Sequence, residues 1–193
     1  MNMNIENNEI LNVFFDIITQ LNKFIPPNFV QEIQGYCVGG IAMSYWIGPS
    51  RRTTDVDIIF SHKIFFEELK FKKNNNYLIL EKNFNDSFSA LQEDYPSRAT
   101  FIKKIGKINI FVISPEDLAI MKISRWNDRD RTDVISLIER KLLNKEKLYE
   151  LYNDVKNYYI GNPSNLQYTF DDVIEMIEKS TPKKIYKQPY MRM

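Results

Sequence analysis

The sequence predicts an α+β chain: a small mixed, twisted sheet flanked by helices, followed by a C-terminal helical region. Three observations carry this. Short apolar runs bounded by Gly, Pro and Asn recur as far as Ile113, in the manner of buried strands. Segments of helical periodicity separate them. After Ile113 the strand-like runs stop, and Ser114-Pro115-Glu116-Asp117 opens a stretch of helical periodicity alone. The predicted division is an α/β unit over residues 1–113, a helical unit over 114–180 and a basic tail over 181–193.

Taken in order, Leu11, Phe14, Phe15, Ile18 and Leu21 fall on one face of a helix over about 7–24, which Pro26-Pro27 stops. Tyr36-Cys37-Val38 reads as a strand ending at Gly39-Gly40, and Ile41 to Ile47 as a helix directly after the glycines. Gly48-Pro49-Ser50 breaks that helix, and Thr54 to Phe60 reads as a second strand. A helix over about 62–70 is expected next. Strands follow at Tyr77 to Leu80 and Ala99 to Ile105, and Gly106-Lys107 turns the chain into Ile108 to Ile113. Helices are then expected over about 115–126, 130–141, 145–158 and 169–180, with Asn144 and Thr169 as caps for the last two.

Composition narrows the chemistry. The 193 residues include 26 basic and 25 acidic side chains, one histidine and one cysteine, with 44% apolar residues. That is a folded domain long enough to bury a core. A single His62 excludes a His-rich metal site, and a Ser-His-Asp triad would rest wholly on it. A single Cys37 excludes an intrachain disulfide and a Cys-rich zinc site, which suits a reducing compartment. Carboxylate, hydroxyl, Lys and Arg remain, the tools of metal-assisted phosphoryl or nucleotidyl transfer. The N-terminus lacks the basic and apolar regions of a signal peptide, and no apolar run is long enough to span a bilayer. A cytoplasmic protein with no membrane partner is expected.

Charge is uneven. Residues 1–50 carry one base and four acids, whereas residues 101–150 carry eleven bases and eight acids. From Lys179 onward there are five bases and no acid, interleaved with Tyr186 and Tyr190. Such a tail can follow a nucleic-acid backbone or simply be a solvated terminus.

The informative stretch runs from Gly39-Gly40 to Asp55-Val56-Asp57. Residues two apart on a strand share a face, so Asp55 and Asp57 point together while Val56 and Ile58 enter the core. Two adjacent carboxylates repel, and a hard divalent cation, Mg²⁺ or Mn²⁺, relieves them. A strand ending in Gly-Gly and opening a helix lets backbone approach a phosphate. Between these elements, Arg51 can contact phosphate and Thr53 can orient a carboxylate. Taken alone, Asp-X-Asp also suits a solvated strand edge, and Gly-Gly a helix-packing turn.

In this order the motifs resemble the signature of the nucleotidyltransferase superfamily whose fold is that of DNA polymerase β. The form Gly-Gly-X-Ala with Arg-X-Thr-X-Asp-X-Asp is most similar to the bacterial AbiEii-like toxins and related nucleotidyltransferases. Pro115-Glu-Asp-Leu-Ala-Ile-Met-Lys122, followed by Asp130-X-X-Asp133, is similar to a second pair of helical motifs in that group. The resemblance spans about residues 36–138. It implies that Asp55 and Asp57 hold Mg²⁺ ions that bind an NTP and activate an acceptor hydroxyl. It implies that Gly39 and Gly40 admit the triphosphate, that Lys122 contacts phosphate and that Asp130 orients Lys122 or a substrate hydroxyl. Many members add a third carboxylate in a hydrophobic-Asp-hydrophobic setting. Asn109 stands at that place here, a metal ligand only through its carbonyl oxygen.

The resemblance thus implies transfer of NMP from an NTP to a macromolecule, with RNA or a tRNA end first and a protein side chain second. A cognate antitoxin would be the partner if the chain acts as a toxin or phage-defence component. A catalytically degenerate nucleotide- or partner-binding module is the alternative, motivated by Asn109. An Asp-X-Asp glycosyltransferase is a third reading, which leaves the upstream glycines unexplained. From the residues alone, Lys122 also fits a snorkelling structural lysine, and Asp130 and Asp133 fit an ordinary charged helix start.

Overall fold

The computed structural model describes residues 8–49, 53–64, 69–73, 76–80 and 90–180. The chain begins with helix α1 (Glu9–Leu21), extended by a 3-10 turn at Asn22–Phe24. Strand β1 (Ile33–Cys37) leads straight into α2 (Gly39–Ile47), and β2 (Ile58–Phe60) returns antiparallel to β1. A hairpin follows, β3 (Leu69–Lys73) with β4 (Asn76–Leu80). After the single turn α3 (Tyr95–Arg98) come β5 (Thr100–Ile105) and β6 (Ile108–Val112), joined through Gly106. Helices α4 (Pro115–Ile123), α5 (Asp128–Glu139), α6 (Lys145–Val155) and α7 (Pro163–Ser180) complete the chain.

The main sheet has the order β2-β1-β6-β5 and is mixed, because β1 runs parallel to β6 and antiparallel to β2. The predicted class, a small mixed sheet with flanking helices and a helical C-terminal region, is therefore observed. One face carries Ile33, Cys37, Ile58, Ile108, Ile110 and Val112 into the core, where Phe14, Ile18 and Leu21 of α1 are also fully or almost fully buried. At roughly 25 cal/mol per Å² of apolar surface, burying such side chains is the main force holding sheet and helices together.

Local chemistry sets most boundaries. Asn8 caps α1, accepting from Leu11 N–H at 3.2 Å, and its amide donates to the Ser44 carbonyl at 2.9 Å, which ties α1 to α2. Ser114 caps α4, and Asn144 caps α6 by accepting from Lys147 N–H at 2.9 Å, both as expected. Three expectations fail for identifiable reasons. Thr169 lies inside α7 and bonds back to the Asn165 carbonyl, because Asn162 and Pro163 start the helix earlier. The helix expected over 62–70 is not formed at its ends: residues 61–64 are irregular and Leu69 begins a strand paired with β4. Its centre, 65–68, lies outside the described residues. The strand expected over 54–60 joins the ladder only at Ile58, since beyond that point β1 has ended and the chain has turned into α2.

Candidate active site

The sequence Tyr36-Cys37-Val38-Gly39-Gly40 ends a strand and starts a helix without a connecting loop. Val38 is extended, with φ −125°, and its N–H donates to the Asp57 carbonyl at 3.0 Å. Gly39 then adopts φ +55°, a left-handed conformation that favours glycine. A Cβ on Gly39 would overlap the Asp57 carboxylate, reaching 2.9 Å from its Cγ; one on Gly40 would lie 2.5 Å from Thr53 Cβ. The two glycines thus let Asp57 and Thr53 pack directly on the first turn of α2, and the Gly40 N–H donates to the Asp57 carboxylate. A carboxylate on the positive end of a helix is favourable.

Segment 53–57 is held from its other side by β4. Val56 N–H donates to the Ile79 carbonyl at 2.8 Å, and Ile79 N–H to the Thr54 carbonyl at 2.7 Å. This buries Val56 and keeps Asp55 and Asp57 on the side opposite it, as strand alternation requires. Thr54 Oγ1 donates to Asp55 Oδ1 at 3.1 Å, and Thr53 Oγ1 to the Asp55 carbonyl at 3.2 Å. Asp55 is exposed and Asp57 half-buried. Burial first and the neighbouring Asp55 second push the Asp57 carboxyl above its ordinary value. The charge of Arg125, the Gly40 N–H and the charge of Lys122 pull it back.

Those two cations sit at the far end of α4. Helix α2 packs on α4 and α5, and the Trp46 indole N–H donates to the Ile113 carbonyl at 2.9 Å, pinning the end of α2 beside the start of α4. The Lys122 ammonium donates to Asp130 Oδ1 at 3.0 Å and to Asp133 Oδ2 at 2.7 Å, with all three side chains buried. Arg125 donates from Nε and Nη2 to both oxygens of Asp130, at 3.2 and 3.1 Å. Asn127 caps α5 through the Asp130 N–H at 2.9 Å and donates to Asp130 Oδ2 at 2.7 Å. The buried set of two carboxylates and one ammonium is balanced by the half-exposed guanidinium.

The structure therefore gathers Gly39, Gly40, Thr53, Asp55 and Asp57 at one point, with the Lys122–Asp130 network in electrostatic reach. Asn109 does not join them. It lies next to Gln34 at the start of β1, whereas the aspartates lie beyond Cys37 at the other end, next to Val38. Four residues of strand separate the two levels, roughly 13 Å, and the Asn109 amide instead donates to Glu32 at 2.7 Å. Level with Asp57, the same strand places apolar Val112 and Ile113. Arg51 and the basic tail over 181–193 lie outside the described residues.

Sequence reasoning passed over Arg125 and Asn127. Their signals were there to read: Arg125 follows Lys122 by three positions, one turn of helix, and Asn127 stands three residues before an acid at a helix start. Among the described residues, no group of three or more His, Cys, Asp and Glu side chains converges as a metal site. The Asp55–Asp57 pair offers hard oxygen ligands beside the start of α2, and the raised Asp57 carboxyl marks charge that a cation would relieve. No helix among the described residues is long and apolar enough to cross a membrane.

No curated protein and no solved structure matches this chain significantly. A family model described as nucleotidyltransferase of unknown function (DUF6036) matches residues 12–180, from α1 through α7. That match takes in both the Asp55–Asp57 segment and the Lys122–Asp133 network, and it implies a nucleotide substrate. The chain belongs to this nucleotidyltransferase family.

Proposed function

We propose that the chain is a metal-dependent nucleotidyltransferase that moves NMP from an NTP to a macromolecular acceptor, with RNA, including a tRNA end, as the favoured class. The observation that carries this reading is the Asp57 carboxylate seated on the Gly39-Gly40 helix start beside Asp55, with no side-chain cation bonded to either among the described residues. Asp55 and Asp57 would hold Mg²⁺ or Mn²⁺, which supplies charge neutralisation for the triphosphate and activation of the acceptor hydroxyl. The acceptor oxygen bonds to the α-phosphorus, the bond to pyrophosphate breaks, and the hydroxyl proton passes to solvent. Gly39 and Gly40 seat the Asp57 carboxylate and Thr53 on the helix start, where the triphosphate would approach through the metal that Asp57 holds, and Thr53 braces the aspartate segment through the Asp55 carbonyl. Lys122, bonded to Asp130, contributes to the field at Asp57.

The likeness to AbiEii-like proteins supports an acceptor such as tRNA, a cytoplasmic setting and a cognate antitoxin as partner. Incubation with Mg²⁺, each labelled NTP and total cell RNA tests the enzyme. Label transfer is expected from the wild type, falling on the order of 10²-fold or more in Asp55→Ala/Asp57→Ala. Equal transfer by that double variant sinks the reading. If the chain is toxin-like, its expression slows growth and the same variant relieves the effect.

The absence of a third converging carboxylate among the described residues favours one other reading, a degenerate fold that binds nucleotide or a partner without turnover. NTP binding with no label transfer to RNA or lysate protein selects it.

A further inference from the structure

Lys122 and Arg125 belong to one network but face it from opposite sides. Lys122 is 2% exposed, and its ammonium is turned onto two buried carboxylates. Its reach toward a ligand is blocked by its own partners. The Arg125 side chain is 49% exposed, and one edge of its planar fork, Nε and Nη2, grips the 5% exposed Asp130. Asp130 is itself held by Lys122 and Asn127, so the guanidinium is aimed by a carboxylate that cannot swing. Nη1 lies on the edge that Asp130 does not use. A guanidinium held on one edge and open on the other suits a phosphate, which accepts the same fork geometry.

The backbone supports the same placement. Trp126, directly after Arg125, has φ +48°, an uncommon conformation for a bulky residue. Its N–H and that of Arg125 both return to the Lys122 carbonyl, at 2.8 and 3.2 Å, so α4 ends abruptly at the arginine. The Tyr159 hydroxyl donates to the Ser124 carbonyl at 2.9 Å and fixes the turn from outside. A left-handed, braced turn holds Arg125 at the C-terminal end of α4, the end away from the contact that pins the start of α4 to the end of α2.

We infer that Arg125, not Lys122, is the side chain that grips the nucleotide triphosphate, and that Lys122, Asp130 and Asp133 are positioning residues that aim it. This rests on the nucleotidyltransferase reading above. It assigns the residue that distinguishes a triphosphate from a nucleoside, since a fork at this point addresses phosphate oxygens and leaves the base to other contacts.

Calorimetric titration of the full chain with the Mg²⁺ complexes of ATP, GTP, CTP and UTP, and with the four nucleosides, tests it. For the NTP that binds, Arg125→Ala should weaken affinity by about 10–100-fold, the effect of losing hydrogen bonds to a charged group. Nucleoside affinity and the circular dichroism spectrum should stay unchanged. Arg125→Gln, which keeps an amide donor for Asp130, should show the same loss in a chain that still melts cooperatively, at a somewhat lower temperature because the guanidinium charge is gone; this variant carries the test if Arg125→Ala does not fold. Wild-type triphosphate affinity in a folded Arg125 variant overturns the assignment and leaves the nucleotidyltransferase reading standing. If the wild type binds none of the four NTPs, both fail together.

Discussion

Two pairs of aspartates share the field of the same two cations, Lys122 and Arg125, and their surroundings differ sharply. Asp130 and Asp133 are buried and neutralised: Lys122 bonds both, Arg125 bonds the first through two nitrogens, and Asn127 adds an amide. Asp55 and Asp57 receive one threonine hydroxyl and one backbone N–H, and burial with mutual repulsion pushes the Asp57 carboxyl upward. Buried carboxylates persist only when their charge is met. The first pair meets it with side chains and becomes architecture. The second is bonded by no cationic side chain among the described residues, which is the setting the proposed metal would occupy.

The largest effect should come from breaking the neutralised pair. Lys122→Met leaves two buried carboxylates facing each other and should cost about 3–5 kcal/mol, a fall in melting temperature of roughly 10 °C. A loss below about 1 kcal/mol would mean that the lysine is not what neutralises them. Next comes Gly39→Ala, which places a Cβ against Asp57 at φ +55°. It should cost about 1–3 kcal/mol in a urea titration and displace the carboxylate. Asn127→Ala removes a helix cap and one Asp130 bond together, for about 1 kcal/mol.

The smallest effect has the opposite sign. A carboxyl whose folded-state pKa lies above its unfolded value holds its proton more tightly when folded. Its contribution to stability is therefore fully present below the ordinary value of 3.8 and is lost as pH rises through the raised folded value. Above that window Asp57 opposes folding. Asp57→Asn should raise the melting temperature at pH 7 by roughly 1–3 °C, and the difference should vanish in acid. Mg²⁺ should stabilise the wild type at pH 7 and have less effect on the variant. A melting temperature lowered by Asp57→Asn would show that this carboxylate is structurally neutralised like Asp130 and Asp133.

Much of the fold was legible because its signals are local. The Leu11–Leu21 stripe, the Ser114 and Asn144 caps and the Gly106 turn all act within a few residues, and each element formed within a few positions of expectation. The errors came where tertiary context decides. Thr54 to Phe60 has strand composition, but half of it outruns its neighbour β1 and hangs on Ile79 instead. Asn109 occupied the expected hydrophobic-polar-hydrophobic setting, yet parallel register with β1 carries it to the wrong end of the sheet.

What the sequence alone determined is which side chains remain for chemistry and which two carboxylates share a face. One histidine and one cysteine excluded the common alternatives, and the two-residue period of a strand put Asp55 and Asp57 on one side of Val56. Only the tertiary structure decided which charges are spent and which are available. Lys122 and Arg125 are equal as cations in the sequence. Burial against Asp130 and Asp133 consumes one and leaves the other half open. Neutralisation depends on distances across helices and on exclusion of water, and residue spacing along the chain encodes neither.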